Sequence, residues 1–257
     1  MKTVIIPQGD RRFDKVAEHF EQNGTQVLRG GFPHERAAYL FSLGEKGEKL
    51  LSAADLAAPE SLFFVGRQHA PLLDAAKKKG ICIVPLLEDP AYLASNARAT
   101  AQGALGQLLT ATPRVLEETA VLIIGYGNCG RALAQLLRRN GCKVRIHSNP
   151  GSLARAKGEG FSPFDLLGNE PFSFDAIVNT VPAPIFTSEI LERIPGGTAW
   201  IQIASGLSGL DPWDLKARSL PFYPLPGLPG VVAPETEADA IYRLMARHLF
   251  KFKEESE

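Results

Sequence analysis

Several things are scarce in this sequence, and each scarcity excludes a class of protein. Cysteine occurs three times, at Cys82, Cys129 and Cys142, in a number that cannot pair completely and at spacings that suit no metal. A disulfide scaffold is excluded, no metal site is assigned, and a reducing, cytoplasmic setting is expected. Excess charge is missing too: 28 Lys and Arg offset 28 Asp and Glu, so no overall field recruits nucleic acid or an anionic membrane surface. No apolar run approaches the roughly 18 residues of a membrane span. The opening MKTVIIPQGD has neither the core nor the cleavage site of a signal peptide and reads as a strand. What remains is a 257-residue chain with 45% hydrophobic and 22% charged residues, ordinary globular values and enough for one large core or two modest ones.

Along the chain, short apolar runs alternate with helical periodicity. Thr3, Val4, Ile5 and Ile6 form a β-branched run closed by Pro7. Phe13, Val16, Ala17 and Phe20 then repeat at the spacing of one helix face, which Gly24 ends. Residues 26–28, 62–65 and 81–84 read as further buried strands. Uninterrupted apolar strands between helices favour a parallel sheet covered on both faces. The sequence divides into an N-terminal α/β substrate or partner domain over 1–98, a connecting helix over 99–118 with Ser95 or Asn96 as its N-cap, a second α/β domain over 119–235, and a C-terminal helix over 236–257 that returns to the first. The fold class is α/β: two domains joined by crossing helices, with a cleft between them for ligand.

The second domain carries the clearest chemistry. The strand Ala120-Val121-Leu122-Ile123-Ile124 runs directly into Gly125-Tyr126-Gly127-Asn128-Cys129-Gly130 and an amphipathic helix. This is GxGxxG in the setting that gives it meaning: Gly125 permits the tight turn, Gly127 the approach of a pyrophosphate, Gly130 close helix–strand packing, and the helix N-terminus favours the phosphate charge. The domain is read as a Rossmann-type doubly wound parallel sheet whose loop, from Gly125 through Tyr126, Asn128 and Cys129 to Gly130, holds a nicotinamide dinucleotide. The following strand ends in His147, Ser148 and Asn149, without the carboxylate that an NAD site places against the ribose 2′-hydroxyl. Its absence, with Arg145 or Arg155 available to a 2′-phosphate, favours NADP over NAD, which stays open. Cys129 at the helix start is either a thiol of lowered pKa or a small packing residue.

Further motifs point to one family. Asn179-Thr180-Val181-Pro182, Ala204-Ser205 and above all the run from Pro226 to Pro234, PGLPGVVAP, resemble the A subunit of dipicolinate synthase. So do VLIIGYGNCGRALA, SLARAKGEGFSPF, the turn Gly9-Asp10-Arg11-Arg12, and Asn96, Thr100 and Gly103. The likeness covers most of 81–250 and is patchy before that. Gln102 stands where the family tends to have Glu, and Ala99 where it tends to have Pro. The resemblance implies a nicotinamide-dependent oxidation of dihydrodipicolinate, from the lysine pathway, to the dipicolinate of endospores. It also implies a partner, the flavoprotein-like B subunit of dipicolinate synthase; a homo-oligomer is left open.

A small dicarboxylate substrate wants cations or N–H groups. Arg12, which matches a family position, is the first candidate, with Arg67 and Arg98 behind it. Thr100 and Gln102 are expected in the first turn of the connecting helix, where N–H groups could hold a carboxylate. His69 is the candidate base, the alternative being a loop cap. Thr180, Val181, Pro182 and Ala204, at strand ends, are expected against the nicotinamide ribose. Gly227, Leu228 and Pro229 are expected to wall the nicotinamide pocket, or else to form a rigid turn. Two further readings are a dehydrogenase of another small carboxylate, shikimate dehydrogenase-like, and a dinucleotide-binding protein without chemistry of its own that serves a partner.

Overall fold

A short apolar run without alternation is buried on both faces, which a parallel sheet between two helical layers provides. In the computed structural model, residues 3–31, 36–44 and 48–254 are described. The chain folds as two units, Met1–Ser95 with Ala233–Glu257, and Asn96–Val232.

In the first unit β1 (Thr3–Ile6), β2 (Gln26–Arg29), β3 (Ala38–Leu40), β4 (Leu62–Val65) and β5 (Cys82–Pro85) pair in parallel in the order β2-β1-β3-β4-β5. Against one face lie α1 (Arg11–Gln22), through Phe13, Val16, Ala17 and Phe20, and the C-terminal helix (Pro234–Glu254), through Ile241, Leu244 and Met245. The other face is covered by α2 (Glu48–Leu56) and α3 (Ala70–Lys79), which contribute Leu50, Ala53, Leu72 and Ala76. Neither β3 nor α2 is visible in the periodicity. β3 is three residues long and wholly buried, too short for any pattern to register, and α2 buries only Leu50, Ala53 and Ala54.

The connecting helix differs from the expected 99–118. α4 runs over Pro90–Ala111, and its start is set by Asp89, whose carboxylate accepts the Tyr92 N–H at 2.9 Å, with Pro90 at the first helical position. Ser95 and Asn96 are therefore interior residues and not caps.

In the second unit β6 (Ala120–Ile124), β7 (Lys143–His147), β8 (Ser162–Pro163), β9 (Ala176–Asn179), β10 (Ala199–Gln202) and β11 (Phe222–Pro224) form an all-parallel sheet in the order β11-β10-β9-β6-β7-β8. Read from the other edge this is 3-2-1-4-5-6, the doubly wound dinucleotide order, and the Rossmann expectation holds. The helices α5 (Asn128–Arg139) and α6 (Pro150–Gly158), with the second half of α4, bury Leu133, Ala134, Leu137, Ala156, Ala104 and Leu108 on one face. On the other, α7 (Ser188–Glu192) and α8 (Pro212–Ala217) give Ile190, Leu191 and Leu215. The crossover from β8 to β9 carries no helix; Phe164 packs edge-on against Phe172 and Phe174 at 4.9 and 5.0 Å and covers the sheet instead. A last short helix, α9 (Leu228–Val232), ends the unit. Among the described residues no helix is long and apolar enough to cross a membrane.

Candidate functional site

The winding of the second sheet reverses between β6 and β9, and ligands of such sheets sit outside the strand ends at that point. The loop leaving β6 is built for close approach. Gly125 has φ +95°, and a Cβ there would lie 2.4 Å from Thr180 Oγ1; a Cβ on Gly130 would lie 2.2 Å from the Gly125 carbonyl oxygen. Those two glycines are required by the protein's own packing. Gly127 is different: a Cβ there would meet nothing within 4 Å, and the α5 N-terminus that it begins has no side-chain cap. Open space above an uncapped helix start is what a pyrophosphate needs. The residues present fit a dinucleotide.

Tyr126 does not face that space. Its ring is buried and its hydroxyl donates to Glu159 Oε2 at 3.0 Å, just beyond α6, where Arg131 and Gln135 also donate to the same carboxylate at 2.8 and 2.9 Å. Burial first, and then the Glu159 carboxylate, push the Tyr126 pKa up to about 12. The Tyr126 backbone carbonyl accepts from Arg155 Nη2 at 2.8 Å. Arg155 is thereby drawn toward the glycine loop from α6 while staying exposed. Asn149 caps α6 by accepting the Ser152 N–H at 3.0 Å, and Ser148 precedes it, half-buried. Arg145 is taken by Glu170 and the Pro163 carbonyl, which leaves Arg155 as the better of the two cations for a 2′-phosphate.

At the ends of β9 and β10 the structure reassigns some roles. The Thr180 hydroxyl donates to the Ile124 carbonyl at 2.8 Å and abuts Gly125, so Thr180 supports the glycine turn from behind rather than reaching a ribose. Pro182 is exposed, and Val181 and Ala204 are half-buried. Leu228 and Pro229 are buried within α9, where Leu228 Cδ2 lies 2.6 Å from where a Cβ on Gly103 would stand. Gly227, at φ +66°, starts this rigid, helix-packed turn. Sequence reasoning missed Glu159, Gln202 and Ser208, and gave Asn179 a place in a family motif but no role. Asn179 and Gln202 each close an apolar run, and the two are register partners across β9 and β10, a coincidence that only strand pairing reveals.

The expected catalytic residues are largely engaged within their own units or exposed. Thr100 and Gln102 lie well inside α4, not in its first turn, because the helix begins at Pro90. The Thr100 hydroxyl donates to the Asn96 carbonyl at 2.8 Å, and Gln102 is exposed; interior N–H groups are used by the helix itself. Arg12 is already paired: its Nε and Nη2 donate to the Asp10 carboxylate at 3.0 and 2.5 Å, and its side chain is 12% exposed. Burial pushes the Asp10 carboxyl up, but the hydrogen bonds and charge of Arg12 hold it below the usual value. Arg67 and Arg98 are exposed. His69 is the N-cap of α3, its Nδ1 accepting the Leu72 N–H at 3.3 Å. In the neutral ring this places the proton on Nε2, which is buried without a hydrogen-bond partner. His69 thus takes the cap role that the sequence left as its alternative. Beyond the ends of β2, β1 and β3 lies a crevice of about 240 Å³ whose lining includes Gln8, Gly30, Gly31, Ser42 and Lys49.

Comparison with known proteins supports the family resemblance. Residues 115–207 match the acetohydroxy acid isomeroreductase NADPH-binding domain family. The A subunit of dipicolinate synthase from Bacillus subtilis (strain 168) is 25% identical over 197 residues, 76% of this chain and 66% of that protein, so the match spans just under two thirds of the relative's length. The crystal structure of the same subunit from Bacillus halodurans superposes with a TM-score of 0.81 at 22% identity, covering 96% of this chain and 97% of that one. Its counterpart from Bacillus subtilis gives 0.82 at 18%, covering 98% and 97%. The chain is similar to the A subunit of dipicolinate synthase and has the NAD(P)-binding dehydrogenase fold.

Proposed function

We propose that this protein is a nicotinamide-dependent oxidoreductase that converts dihydrodipicolinate to dipicolinate in sporulating cells, as its resemblance to the A subunit of dipicolinate synthase implies, and that the B subunit of that enzyme is its partner. The observation that carries the reading is the uncapped, open N-terminus of α5 at Gly127, within a sheet of dinucleotide order. The pyrophosphate is assigned to Gly125–Gly130, and the adenosine ribose to Ser148, Asn149 and Arg155. Without a carboxylate at that strand end and with Arg155 beside the loop, NADP is preferred and NAD is the alternative. Val181, Pro182 and Ala204 are assigned to the nicotinamide half. Bound there, the nicotinamide ring would accept the hydride leaving a ring carbon of the substrate, whose neighbouring ring proton is lost as the pyridine forms.

The substrate carboxylates are assigned to the first unit. Gln8 and Ser42 bring an amide and a hydroxyl to the crevice beyond β2, β1 and β3, a position where parallel sheets of this order take ligands. Arg12, neutralised by Asp10, orders the β1–α1 turn instead of holding substrate. The deciding experiment is reduced-nicotinamide formation by the full chain with dihydrodipicolinate generated in situ, using NADP and NAD separately, with the B subunit present and absent. Turnover is expected. Dinucleotide binding with no turnover under any of these conditions would instead establish a non-catalytic dinucleotide-binding protein, a reading that the internally committed Arg12 and Thr100 favour.

A further inference from the structure

The last residues of β9 and β10, Asn179 and Gln202, are register partners and almost wholly buried, at 0% and 2% exposure. A polar side chain in such a place is costly unless every donor and acceptor is met. Gln202 meets all four. Its Oε1 accepts from Trp200 Nε1 at 3.3 Å and from Asn179 Nδ2 at 3.1 Å; its Nε2 donates to the Gly206 carbonyl at 3.1 Å and to Ser208 Oγ at 2.9 Å. The amide has one possible orientation, because the indole N–H can only donate and the Gly206 carbonyl can only accept. Asn179 Oδ1 accepts the Val181 N–H at 3.0 Å, and Ser208 Oγ donates to the Val181 carbonyl at 2.7 Å.

The network therefore ties two loops together. One follows β9 and contains Val181 and Pro182. The other follows β10, from Ala204 to Gly209, and is held in an unfavourable backbone form: Gly206, Ser208 and Gly209 have φ of +73°, +53° and +78°, of which the serine is the strained case. A Cβ on Gly209 would stand 2.5 Å from Pro184 Cβ, so the loops also touch directly. Both loops lie at the carboxyl ends of strands on the β9–β10 side of the reversal point. In this sheet order the half of the dinucleotide beyond the pyrophosphate lies on that side.

We infer that Gln202, with Asn179, is a positioning residue for the nicotinamide half of the site: it fixes the backbone of Val181 and of Gly206–Ser208 before the cofactor arrives. This rests on the dinucleotide reading above and adds to it a residue that never touches the ligand. Gln202 contributes by preorganisation, so its removal weakens only contacts made at the nicotinamide end.

The test compares ligands with and without nicotinamide on the full-length protein by calorimetry: NADPH against 2′-phospho-ADP-ribose, and NADH against ADP-ribose. Two variants are measured. Gln202→Met removes all four hydrogen bonds at similar volume; Ser208→Ala removes only the hydroxyl that links Gln202 to the Val181 carbonyl, which secures a folded comparison should the methionine variant be unstable. Each variant is expected to lose about tenfold or more in affinity for the nicotinamide ligands while binding the ADP-ribose ligands within about twofold of the parent. Equal weakening of both ligand classes, or unchanged binding of both, overturns the inference and makes the network merely structural. A parent protein that binds none of the four ligands sinks the dinucleotide reading itself, and the inference with it.

Discussion

In each unit one buried parallel strand, β1 in the first and β6 in the second, turns directly into a helix, and the two turns treat the helix start in opposite ways. After β1 the turn ends in Asp10, which caps α1 by accepting the Arg12 N–H and binds the Arg12 guanidinium with the same carboxylate. After β6 the turn ends in Gly127, which caps α5 with nothing. The first helix start is capped by the chain's own carboxylate; the second has no side-chain cap and open space at Gly127. Two copies of one local geometry thus diverge through one side chain, a carboxylate in one case and a hydrogen atom in the other. An N-terminus is an anion site only where the chain has not already supplied the anion.

The largest expected effect is at Gly127. Because a Cβ there meets no protein atom, Gly127→Val is expected to leave the melting temperature within about 2 °C and to cut dinucleotide affinity by about 100-fold, near 2.7 kcal/mol. Gly130→Val, whose Cβ would meet the Gly125 carbonyl, is expected to destabilise the second unit itself. Thermal melts alongside calorimetric titration separate the two, and a Gly127→Val protein that still binds NADPH normally would collapse the contrast between the two turns.

The mirror experiment is Asp10→Ala. It removes a cap and strands a largely buried guanidinium, so a loss of about 2–4 kcal/mol in urea unfolding is expected, with dinucleotide affinity unchanged. The pH dependence has a definite sign. Asp10 is held below its ordinary value of 3.8, so its contribution is complete above that value and is lost as pH falls through the lower folded value. The stability gap between parent and variant closes in acid and not in base.

Smaller effects sharpen the second unit. Arg155→Ala is expected to weaken NADPH about tenfold, near 1.4 kcal/mol, and NADH less than twofold; equal weakening of both would remove Arg155 from the 2′-phosphate. Tyr126→Phe is expected to cost about 0.5–1.5 kcal/mol. The raised phenol contributes stability below its unfolded value of 10.0 that is lost as pH climbs toward about 12. An alkaline unfolding series should therefore show this loss in the parent protein and not in the variant.

Legibility in the sequence followed the range of the forces involved. The glycine loop and its flanking elements are readable because each glycine's role is local, and the apolar faces of α1 and α5 because helical spacing repeats within a dozen residues. β3 and α2 are not, for want of any pattern long enough to repeat. The start of α4 is set by Asp89-Pro90, a cap followed by a first-turn proline, which outcompetes the later cap candidates Ser95 and Asn96.

Among site residues the same division holds. Gly125 and Gly130 stand where a Cβ would clash, and Gly127 opens onto free space. Arg12, Thr100 and Thr180 carry suitable groups, but each directs its hydrogen-bonding capacity to a neighbour: Asp10, the Asn96 carbonyl and the Ile124 carbonyl. For His69 the sequence leaves base and cap as alternatives; the cap geometry determines which nitrogen keeps the proton.

The sequence alone determined that the chain is α/β, that its second half holds a strand–glycine loop–helix unit, and that no carboxylate stands at the end of the next strand, since these depend on residues close together in the chain. Only the tertiary structure decided which polar groups are already paired. Glu159 meets Tyr126 across 33 residues, and Gln202 meets Asn179 across 23. A donor's availability depends on what folding brings within about 3 Å of it, and the order of the strands in the sheet sets that.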